Sequence, residues 1–290
     1  VDNAVVVAGA VEQAMLAPIV AEAGAVVQHV VADQAHARFQ ALDHRTRAVI
    51  TWLDDSRERA VELDQMTAAD QSAGPLHGLL VGLKDNIDTA GVRTTAGAAF
   101  LSDNVPTHDA RAVELIRDAG AVVVAKLNMA ELAWGATTQN ATYGACRNPW
   151  DLDRIPGGSS GGSGAALAAR YCEASLGTDT GASVRIPASL NGVVGIRPTF
   201  GAISNRGVHP VAYTQDTVGP MAPLAVDVAR LTEVLTCADP DDPYSLSGSG
   251  RPATSLIGTP LGGIRIGLPT TFFFDDIDPA CIRRSRARAA

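Results

Sequence analysis

The sequence predicts a protein of the α/β class. Two short apolar runs, 79–83 and 121–125, have the length and composition of buried strands. A segment with helical character, 110–118, lies between them, so strand, helix and strand follow one another at the spacing of a βαβ unit. The 290 residues, 46% of them hydrophobic, are enough for a large core in one domain or two smaller ones.

The chain is expected to begin with a helical region over residues 1–70. Apolar residues recur there at helical spacing, and Ala, Glu, Gln and Arg are frequent. A polar break at 70–75 separates this region from the α/β core, which we assign to 71–270. The remaining residues, 271–290, are expected to be an aberrant or truncated tail, because the last ten residues become basic and repetitive.

Helix ends and later elements are predicted from capping and turn residues. Thr107 or Asp109 is the expected N-cap of the helix over 110–118, and Gly120 is expected to end it. A further helix is predicted over 224–236 and a strand over 263–268, with a loop rich in Pro, Gly, Ser and Asp between them.

Composition excludes several classes of protein. The net charge is −8 and the pI about 5.2, whereas non-specific nucleic-acid binding needs clustered Lys and Arg. No apolar stretch reaches the length of a transmembrane helix. The four cysteines are scattered without a CxxC pair, so we expect reduced thiols in a reducing, cytoplasmic compartment and no zinc site.

A Gly/Ser-rich stretch over 157–164 is the most unusual part of the sequence. A flexible linker would lack flanking structure, but this stretch continues directly into a strong helix former at 165–169. A phosphate-binding loop of the P-loop type would end in Gly-Lys-Ser/Thr, and no Lys follows these glycines. A loop that presents a catalytic serine is the favoured interpretation, and a second Gly/Ser element at 179–185 has the same character.

A serine nucleophile needs a base, and histidine is not the candidate here. None of the six histidines lies in these two elements, and no Gly-x-Ser-x-Gly motif occurs. Lys84 follows the apolar run 79–83 directly, and burial lowers the pKa of a lysine, so that it can act as a neutral base. From this residue alone, a structural ion pair with Asp85 or Asp88 is the favoured alternative.

Together, three ordered motifs resemble the amidase signature family. They are Gly-Leu-Lys-Asp-Asn-Ile-Asp at 82–88, Pro-Gly-Gly-Ser-Ser-Gly-Gly-Ser at 156–163 and Asp-Thr-Gly-Ala-Ser-Val-Arg-Ile-Pro at 179–187. The resemblance extends over roughly residues 10–270. It implies an α/β/α sandwich with a central mixed sheet, incomplete at its C-terminus, that hydrolyses the C–N bond of a small-molecule carboxamide without cofactor or metal.

The resemblance also assigns roles to individual residues. It implies that Ser183 is the nucleophile, that Ser159 is a bridging serine held by a cis peptide bond after Gly158, and that Lys84 is the base. The backbone N–H groups of Thr180, Gly181, Ala182 and Ser183 would form the oxyanion hole. The implied supporting residues are Ser160, Asp179 and Arg185.

Departures from the family pattern leave alternatives open. Ala182 stands where relatives usually have a second glycine, which is costly if that backbone needs a positive φ. The chain is also much shorter than typical members, so a non-catalytic remnant is one alternative. A component similar to the A subunit of glutamyl-tRNA amidotransferase is another, ranked second because the region 214–216 differs. We expect no nucleic-acid or membrane partner; a homodimer is one open arrangement.

Overall fold

The computed structural model describes residues 5–7, for which only the backbone is considered, 27–247, 252–260, 262–265, 267, 271, 275 and 277. The chain divides into two compact units, Val1–Ser255 and Leu256–Ala290. All the elements labelled below belong to the first unit. In the second unit, the Thr259 N–H donates a hydrogen bond to the carbonyl oxygen of Leu256 at 3.2 Å.

A seven-stranded sheet, in the order β1-β8-β9-β7-β3-β4-β2, is the centre of the first unit. Its strands are β1 (Val5–Val7), β2 (Val49–Trp52), β3 (Leu80–Lys84), β4 (Val122–Leu127), β7 (Ala174–Asp179), β8 (Val194–Arg197) and β9 (Thr217–Ala222). A small hairpin consists of β5 (Gln139–Asn140) and β6 (Gly144–Ala145). The helices are α1 (Gln28–Thr46), α2 (Ser56–Ala68), α3 (Arg111–Asp118), α4 (Gly161–Ala168), α5 (Arg185–Asn191) and α6 (Ala225–Leu235).

The sheet is mixed, as predicted. Strand β3 runs parallel to both of its neighbours, β4 and β7, whereas the other pairs in the sheet are antiparallel. The β3–α3–β4 segment is the predicted βαβ unit. Because the carboxyl ends of parallel strands meet at one edge, the ends of β3 and β7 bring Lys84 and Asp179 to the same region.

The N-cap prediction for α3 is wrong. Ala110 occupies the N-cap position, and no side chain caps the helix. The Asp109 carboxylate instead accepts a hydrogen bond from the Ala90 N–H at 2.7 Å and pairs with Arg117 at 2.8 Å. The C-terminal prediction is confirmed, because Gly120 follows the helix with a φ of +90°.

Two further expectations about elements need correction. The helices predicted for the N-terminal region are present as α1 and α2, but the strand β2 lies between them and joins the sheet edge beside β4. Its sequence, Val-Ile-Thr-Trp, has high β-propensity but is too short to stand out between helices. For the strand predicted over 263–268, the described residues 263–265 and 267 are turn and coil.

Two buried clusters cover the two faces of the sheet, which gives three layers. One cluster contains Leu83 of β3, Ile116 of α3 and Leu231 of α6. The other contains Leu63 of α2 and residues of α1, α4 and α5. This arrangement agrees with the α/β/α prediction.

The described residues answer two questions that composition raised. No helix among them combines the length and the apolar character needed to cross a bilayer. Cys146, Cys172 and Cys237 are free thiols, and Cys281 lies outside the described residues.

Candidate active site

Lys84 is a buried lysine in contact with a serine. It is the last residue of β3, and its side chain is fully buried. The Nζ atom lies 2.7 Å from Ser159 Oγ, 2.7 Å from Thr178 Oγ1 and 3.4 Å from the Thr178 carbonyl oxygen. Lys84 and Ser159, which are 75 positions apart in the sequence, are therefore within hydrogen-bonding distance, as the resemblance implied.

Burial allows the amine of Lys84 to act as a base near neutral pH. It lowers the pKa of the Lys84 ammonium from 10.5 to about 7, although Asp179 and Asp216 oppose the change through their negative charge. At pH 7 a large fraction of this lysine is therefore neutral. The alternative interpretation was an ion pair of Lys84 with Asp85 or Asp88. Among the described residues neither pair is present, and Asp85 Oδ1 instead lies 3.8 Å from Lys126 Nζ.

Thr178 is a site residue that sequence analysis missed. Its hydroxyl oxygen accepts hydrogen bonds from Lys84 Nζ at 2.7 Å and from Asn86 Nδ2 at 3.2 Å. Asn86 Nδ2 also donates to the carbonyl oxygen of His209 at 3.1 Å. Thr178 and Asn86 lie in or directly beside the quoted motifs, so proximity to a motif was the available signal.

The serine loop precedes α4 and is fixed by backbone contacts. The peptide bond between Gly158 and Ser159 is cis, in agreement with the expectation. Thr138 Oγ1 donates to the Gly157 carbonyl oxygen at 2.8 Å and accepts from the Gly161 N–H at 3.1 Å. The Ser159 carbonyl oxygen accepts from the Ala130 N–H at 3.0 Å. Both ends of the loop are therefore held against the segment 130–138.

Gly158 allows this loop to pack closely. A Cβ atom at this position would lie 2.7 Å from the backbone N of Thr137 and 2.9 Å from the carbonyl oxygen of Gly135. Both distances are shorter than real Cβ contacts, and both neighbours are backbone atoms that cannot rotate away. A side chain before Ser159 would displace the loop, which explains the glycine in this motif.

Ser160 connects three segments, which fits the supporting role expected of it. Its hydroxyl donates to the Thr178 carbonyl oxygen at 3.2 Å and accepts from the Thr178 N–H at 3.3 Å. Its own N–H donates to the carbonyl oxygen of Ser183 at 3.2 Å. Through Ser160, the loop that carries Ser159 is joined to β7 and to the turn that carries Ser183.

Ser183, the expected nucleophile, lies in the turn between β7 and α5 and not in a strand. The residue is partly exposed. Its hydroxyl makes no hydrogen bond with the part of the chain that the structure describes. The backbone contact through Ser160 is what joins it to the loop of Ser159.

Asp179 and Arg185 make an ion pair at this turn. The fully buried carboxylate of Asp179 accepts hydrogen bonds from Arg185 Nε and Nη2, both at 3.0 Å. Arg197 Nε lies 3.5 Å away on the same carboxylate. Burial works to raise the pKa of Asp179, but the hydrogen bonds from Arg185 and from nearby backbone N–H groups outweigh burial and lower the pKa.

The oxyanion-hole prediction needs one correction. The Ala182 N–H donates to Asp179 Oδ1 at 2.8 Å, so it is already engaged. Within the described part of the chain, the N–H groups of Thr180, Gly181 and Ser183 make no hydrogen bond, which leaves three donors. Ala182 also has a φ of +90°, so the substitution of a glycine at this position places alanine in strained backbone.

Asp216 is a second residue that the sequence analysis missed. Its Oδ1 accepts a hydrogen bond from the Thr180 hydroxyl, and its Oδ2 accepts from the N–H groups of Val211 and Ala212 at 2.7 and 3.0 Å. This carboxylate therefore joins the loop 211–216 to the turn that carries Ser183. The residue lies in the region 214–216, which had been used only to compare types of amidase.

A mixed sheet with helices on both faces, a buried lysine next to a serine and a glycine-rich turn together define a fold of the amidase type. The amidase family profile matches residues 31–290, so the chain belongs to the amidase family. It is 42% identical over 243 residues to the A subunit of glutamyl-tRNA(Gln) amidotransferase from Heliobacterium modesticaldum, covering 83% of this chain and 50% of that protein. The corresponding protein of Symbiobacterium thermophilum is 43% identical over 252 residues, or 86% of this chain and 51% of that protein.

Solved structures show the same fold. The native peptide amidase from Stenotrophomonas maltophilia matches with a TM-score of 0.74 at 35% identity, over 79% of this chain and 49% of that one. A chain from a vestigial protein complex, described as revealing the origins of an s-triazine catabolic enzyme, matches with a TM-score of 0.88 at 37% identity, over 91% and 58%. The chain spans about half the length of the curated relatives it matches.

Proposed function

We propose that this protein hydrolyses a carboxamide C–N bond through an acyl-enzyme on Ser183, with Ser159 as bridge and Lys84 as base. The observation that carries the proposal is the 2.7 Å contact between the Nζ atom of the fully buried Lys84 and Ser159 Oγ. Membership of the amidase family supports it.

The surroundings of Lys84 favour a proton path from Ser159. A neutral amine has two N–H bonds and one lone pair. The Thr178 carbonyl oxygen can only accept, and the Thr178 hydroxyl oxygen is a second acceptor, so both N–H bonds have partners on this residue. The lone pair is then left for the Ser159 hydroxyl proton. Ser159 would in turn take the proton of Ser183 as the Ser183 oxygen attacks.

The attack would build negative charge on the substrate carbonyl oxygen. The unengaged N–H groups of Thr180, Gly181 and Ser183 are the donors we assign to that oxygen. Asp179 and Asp216 hold the turn from two sides, so the donors would need little rearrangement during the reaction.

Breakdown of the tetrahedral adduct completes the first half of the reaction. The C–N bond breaks, and the proton stored on Lys84 returns through Ser159 to the departing nitrogen, which leaves as ammonia or an amine. Water then attacks the Ser183 ester, with Lys84 again accepting the proton through Ser159. The products are a carboxylic acid and free Ser183.

A fluorophosphonate probe tests the nucleophile. We expect labelling of the full chain, and mass spectrometry should locate the adduct on Ser183. Ser183→Ala should abolish labelling, whereas Ser189→Ala, an exposed serine of the neighbouring helix α5, should label as the unchanged chain does. A well-folded chain that the probe does not label, or an adduct on another serine, would contradict the proposal.

A second candidate function is favoured by the sequence relatives. The A subunit of glutamyl-tRNA(Gln) amidotransferase is similar over more than four fifths of this chain. In a protein of that kind, the ammonia released as Ser183 takes the acyl group would not leave into solvent but would attack the glutamyl side chain of glutamyl-tRNA(Gln), whose carboxylate must first be activated by phosphoryl transfer from a nucleoside triphosphate so that phosphate can leave. Further subunits would be needed.

Substrate scope separates the two candidates. An amidase should release ammonia or an amine from simple carboxamides on its own. A component of an amidotransferase should show slow release alone, and faster release when partner subunits, glutamyl-tRNA(Gln) and a nucleoside triphosphate are added. Acceleration by these additions would favour the second candidate, and full activity without them the first.

A further inference from the structure

Lys126 is a second buried lysine, and the mechanism above does not use it. The sequence contains only two lysines, Lys84 and Lys126. Lys126 lies in β4 and its side chain is fully buried. Its Nζ atom donates hydrogen bonds to the Ile87 carbonyl oxygen, to Thr89 Oγ1 at 3.2 Å and to Thr94 Oγ1 at 2.7 Å. All three acceptors belong to the segment that follows β3.

Asp85 supplies the opposite charge for Lys126. Its Oδ1 lies 3.8 Å from Lys126 Nζ, and both side chains are fully buried. The other oxygen, Oδ2, accepts from the N–H of Thr95 at 2.9 Å and from the Thr95 hydroxyl. Oδ1 has no hydrogen-bond donor among the described residues, so the attraction to Lys126 is its main compensation.

The pair lies on the opposite face of the sheet from the catalytic contact. In the parallel ladder, Lys126 is opposite Leu83, and Lys84 is opposite Leu127. Successive side chains of a strand alternate between faces, so Lys84 points to one face while Asp85 and Lys126 meet on the other.

A short series of contacts connects the pair to Lys84. Lys126 holds the carbonyl of Ile87, and the Ile87 N–H donates to the Lys84 carbonyl oxygen at 3.0 Å. The Asp85 N–H donates to the Leu127 carbonyl oxygen at 3.1 Å. The turn 84–87 also carries Asn86, which binds the same threonine hydroxyl as Lys84 does.

We propose that Asp85 and Lys126 are positioning residues for Lys84. Their buried ion pair fixes the turn 84–87 from the far side of the sheet and balances the charge next to Lys84. The inference rests on the proposed function, in which Lys84 is the base, but its test below does not require turnover.

Other charges in the neighbourhood have to be considered. Asp179 and Asp216 act on Lys84 from the end of β7 and from the loop 211–216. The charged groups that act on Lys126 are Asp85, Asp88, Asp109 and Arg117. Arg93 also acts on Asp85. Of these groups only Asp85 is replaced in the variants below, but Lys126 lowers the pKa of Asp88, so Lys126→Met acts on Asp88 as well.

Burial disfavours the charged form of both members of the pair. It lowers the pKa of Lys126 to about 8, against the opposing effect of Asp85. It also raises the pKa of Asp85, against the effect of Lys126. Each charge is therefore stabilised by the other, and removal of one member leaves an uncompensated group beside the turn that carries Lys84.

The two single variants should shift the titration of Lys84 in opposite directions. Lys126→Met leaves the Asp85 carboxylate without its partner, which favours protonated Lys84 and should raise its midpoint by about one pH unit. Asp85→Asn leaves Lys126 without its counter-charge, which should lower the midpoint of Lys84 by less than about one unit, because the pKa of Lys126 then also falls. The double variant should return it close to the starting value.

Nuclear magnetic resonance of the full chain labelled with 13C-lysine measures this directly. Two lysine side-chain signals are expected, and Lys126→Met should leave only that of Lys84, which assigns both. Each signal is followed from pH 5 to 11 in the unchanged chain, the two single variants and the double variant. If Lys126→Met does not fold, two predictions remain: Asp85→Asn should lower the Lys84 midpoint, and the double variant should return it close to the starting value.

The outcomes are distinct. Opposite shifts that cancel in the double variant support the proposal. Equal Lys84 midpoints in all folded variants would overturn it. Shifts of the same sign in both single variants would also overturn it, because general loosening of the site would move the Lys84 midpoint of both variants towards that of a free lysine. If Lys84 in the unchanged chain titrates at the midpoint of a free lysine, the proposed function is contradicted instead. The differences in Lys84 midpoint between the variants and the unchanged chain would still test the role of the pair.

Discussion

At the residue scale, Ala182 combines a functional position with an unfavourable backbone. Its φ of +90° is one that glycine adopts readily and alanine does not. The turn keeps this conformation because the Ala182 N–H is bound by Asp179. Local strain of this kind is maintained by surrounding contacts, and here the contact is with a carboxylate that Arg185 also holds.

Ala182→Gly should therefore stabilise the protein. Relief of the strained backbone should exceed the extra flexibility of glycine in the unfolded chain, with a net gain of about 0.5–1 kcal/mol. Denaturant unfolding measures the change. Ala188→Gly is the matched control, because Ala188 is buried in helix α5 and should lose about 1 kcal/mol or more. Equal destabilisation by both substitutions would mean that Ala182 is not strained.

Sequence analysis could point to two residues that the structure brings together, but not to their partners. Lys84 and Ser159 belong to ordered motifs, and the structure brings them together. For Thr178 the sequence offers only its position next to a motif, and its role depends on the pairing of β3 with β7. The hydrogen bond from the Ala182 N–H to Asp179 could not be predicted either, because it depends on the position of the Asp179 carboxylate relative to the turn.

At the scale of elements, the turn between β7 and α5 depends on one carboxylate. Asp179 ends β7 and accepts hydrogen bonds from backbone N–H groups of the turn and from Arg185 in the first turn of α5. A short helix of this kind contributes little stability by itself, so its position is set by such contacts. The element that carries Ser183 is thus attached to the sheet by a buried ion pair.

Asp179→Asn should destabilise the protein by about 3 kcal/mol, because Arg185 and Arg197 then lose their counter-charge. The pKa of Asp179 is lowered on folding, so its contribution is present above the ordinary pKa of 3.8 and is lost as pH falls through the folded value. Unfolding measured from pH 3 to 7 should therefore show a weaker acid dependence in the variant. An unchanged acid dependence would contradict this role.

Elements with a clear period were predictable, and short ones were not. The βαβ unit and α6 follow from apolar runs of sufficient length. Strand β2 has four residues between two helices and is only half-buried, so its membership of the sheet depends on β4. Helix α5 has seven residues and contains Pro187, and its start is fixed by Asp179 rather than by its own sequence.

At the scale of the whole molecule, the two faces of the sheet have different tasks. The serine loop, α4 and α5 lie on the face of the second cluster. The other face, with α3 and α6, supports the sheet from behind. Changes in the core of the supporting face should therefore lower the stability of the protein without changing the reactivity of the site.

Leu231→Ala tests this division. Leu231 is fully buried in α6, far from the motifs in sequence, and its truncation should cost about 2–5 kcal/mol. Because the site residues come from β3, the serine loop and the turn after β7, the folded variant should react with the fluorophosphonate probe at the unchanged rate. A large loss of rate in a sample shown to be folded would indicate that α6 also shapes the site.

The central claim is that a buried lysine with a lowered pKa activates Ser183 through Ser159. The most direct measurement is the rate of fluorophosphonate labelling of Ser183 as a function of pH from 5 to 10. Because burial lowers the pKa of Lys84 to about 7, the rate should rise with pH to a plateau, with a midpoint near 7. Lys84→Met should be slower by at least about 100-fold and should lose this rise. A midpoint near 10, or the same profile in Lys84→Met, would contradict the account.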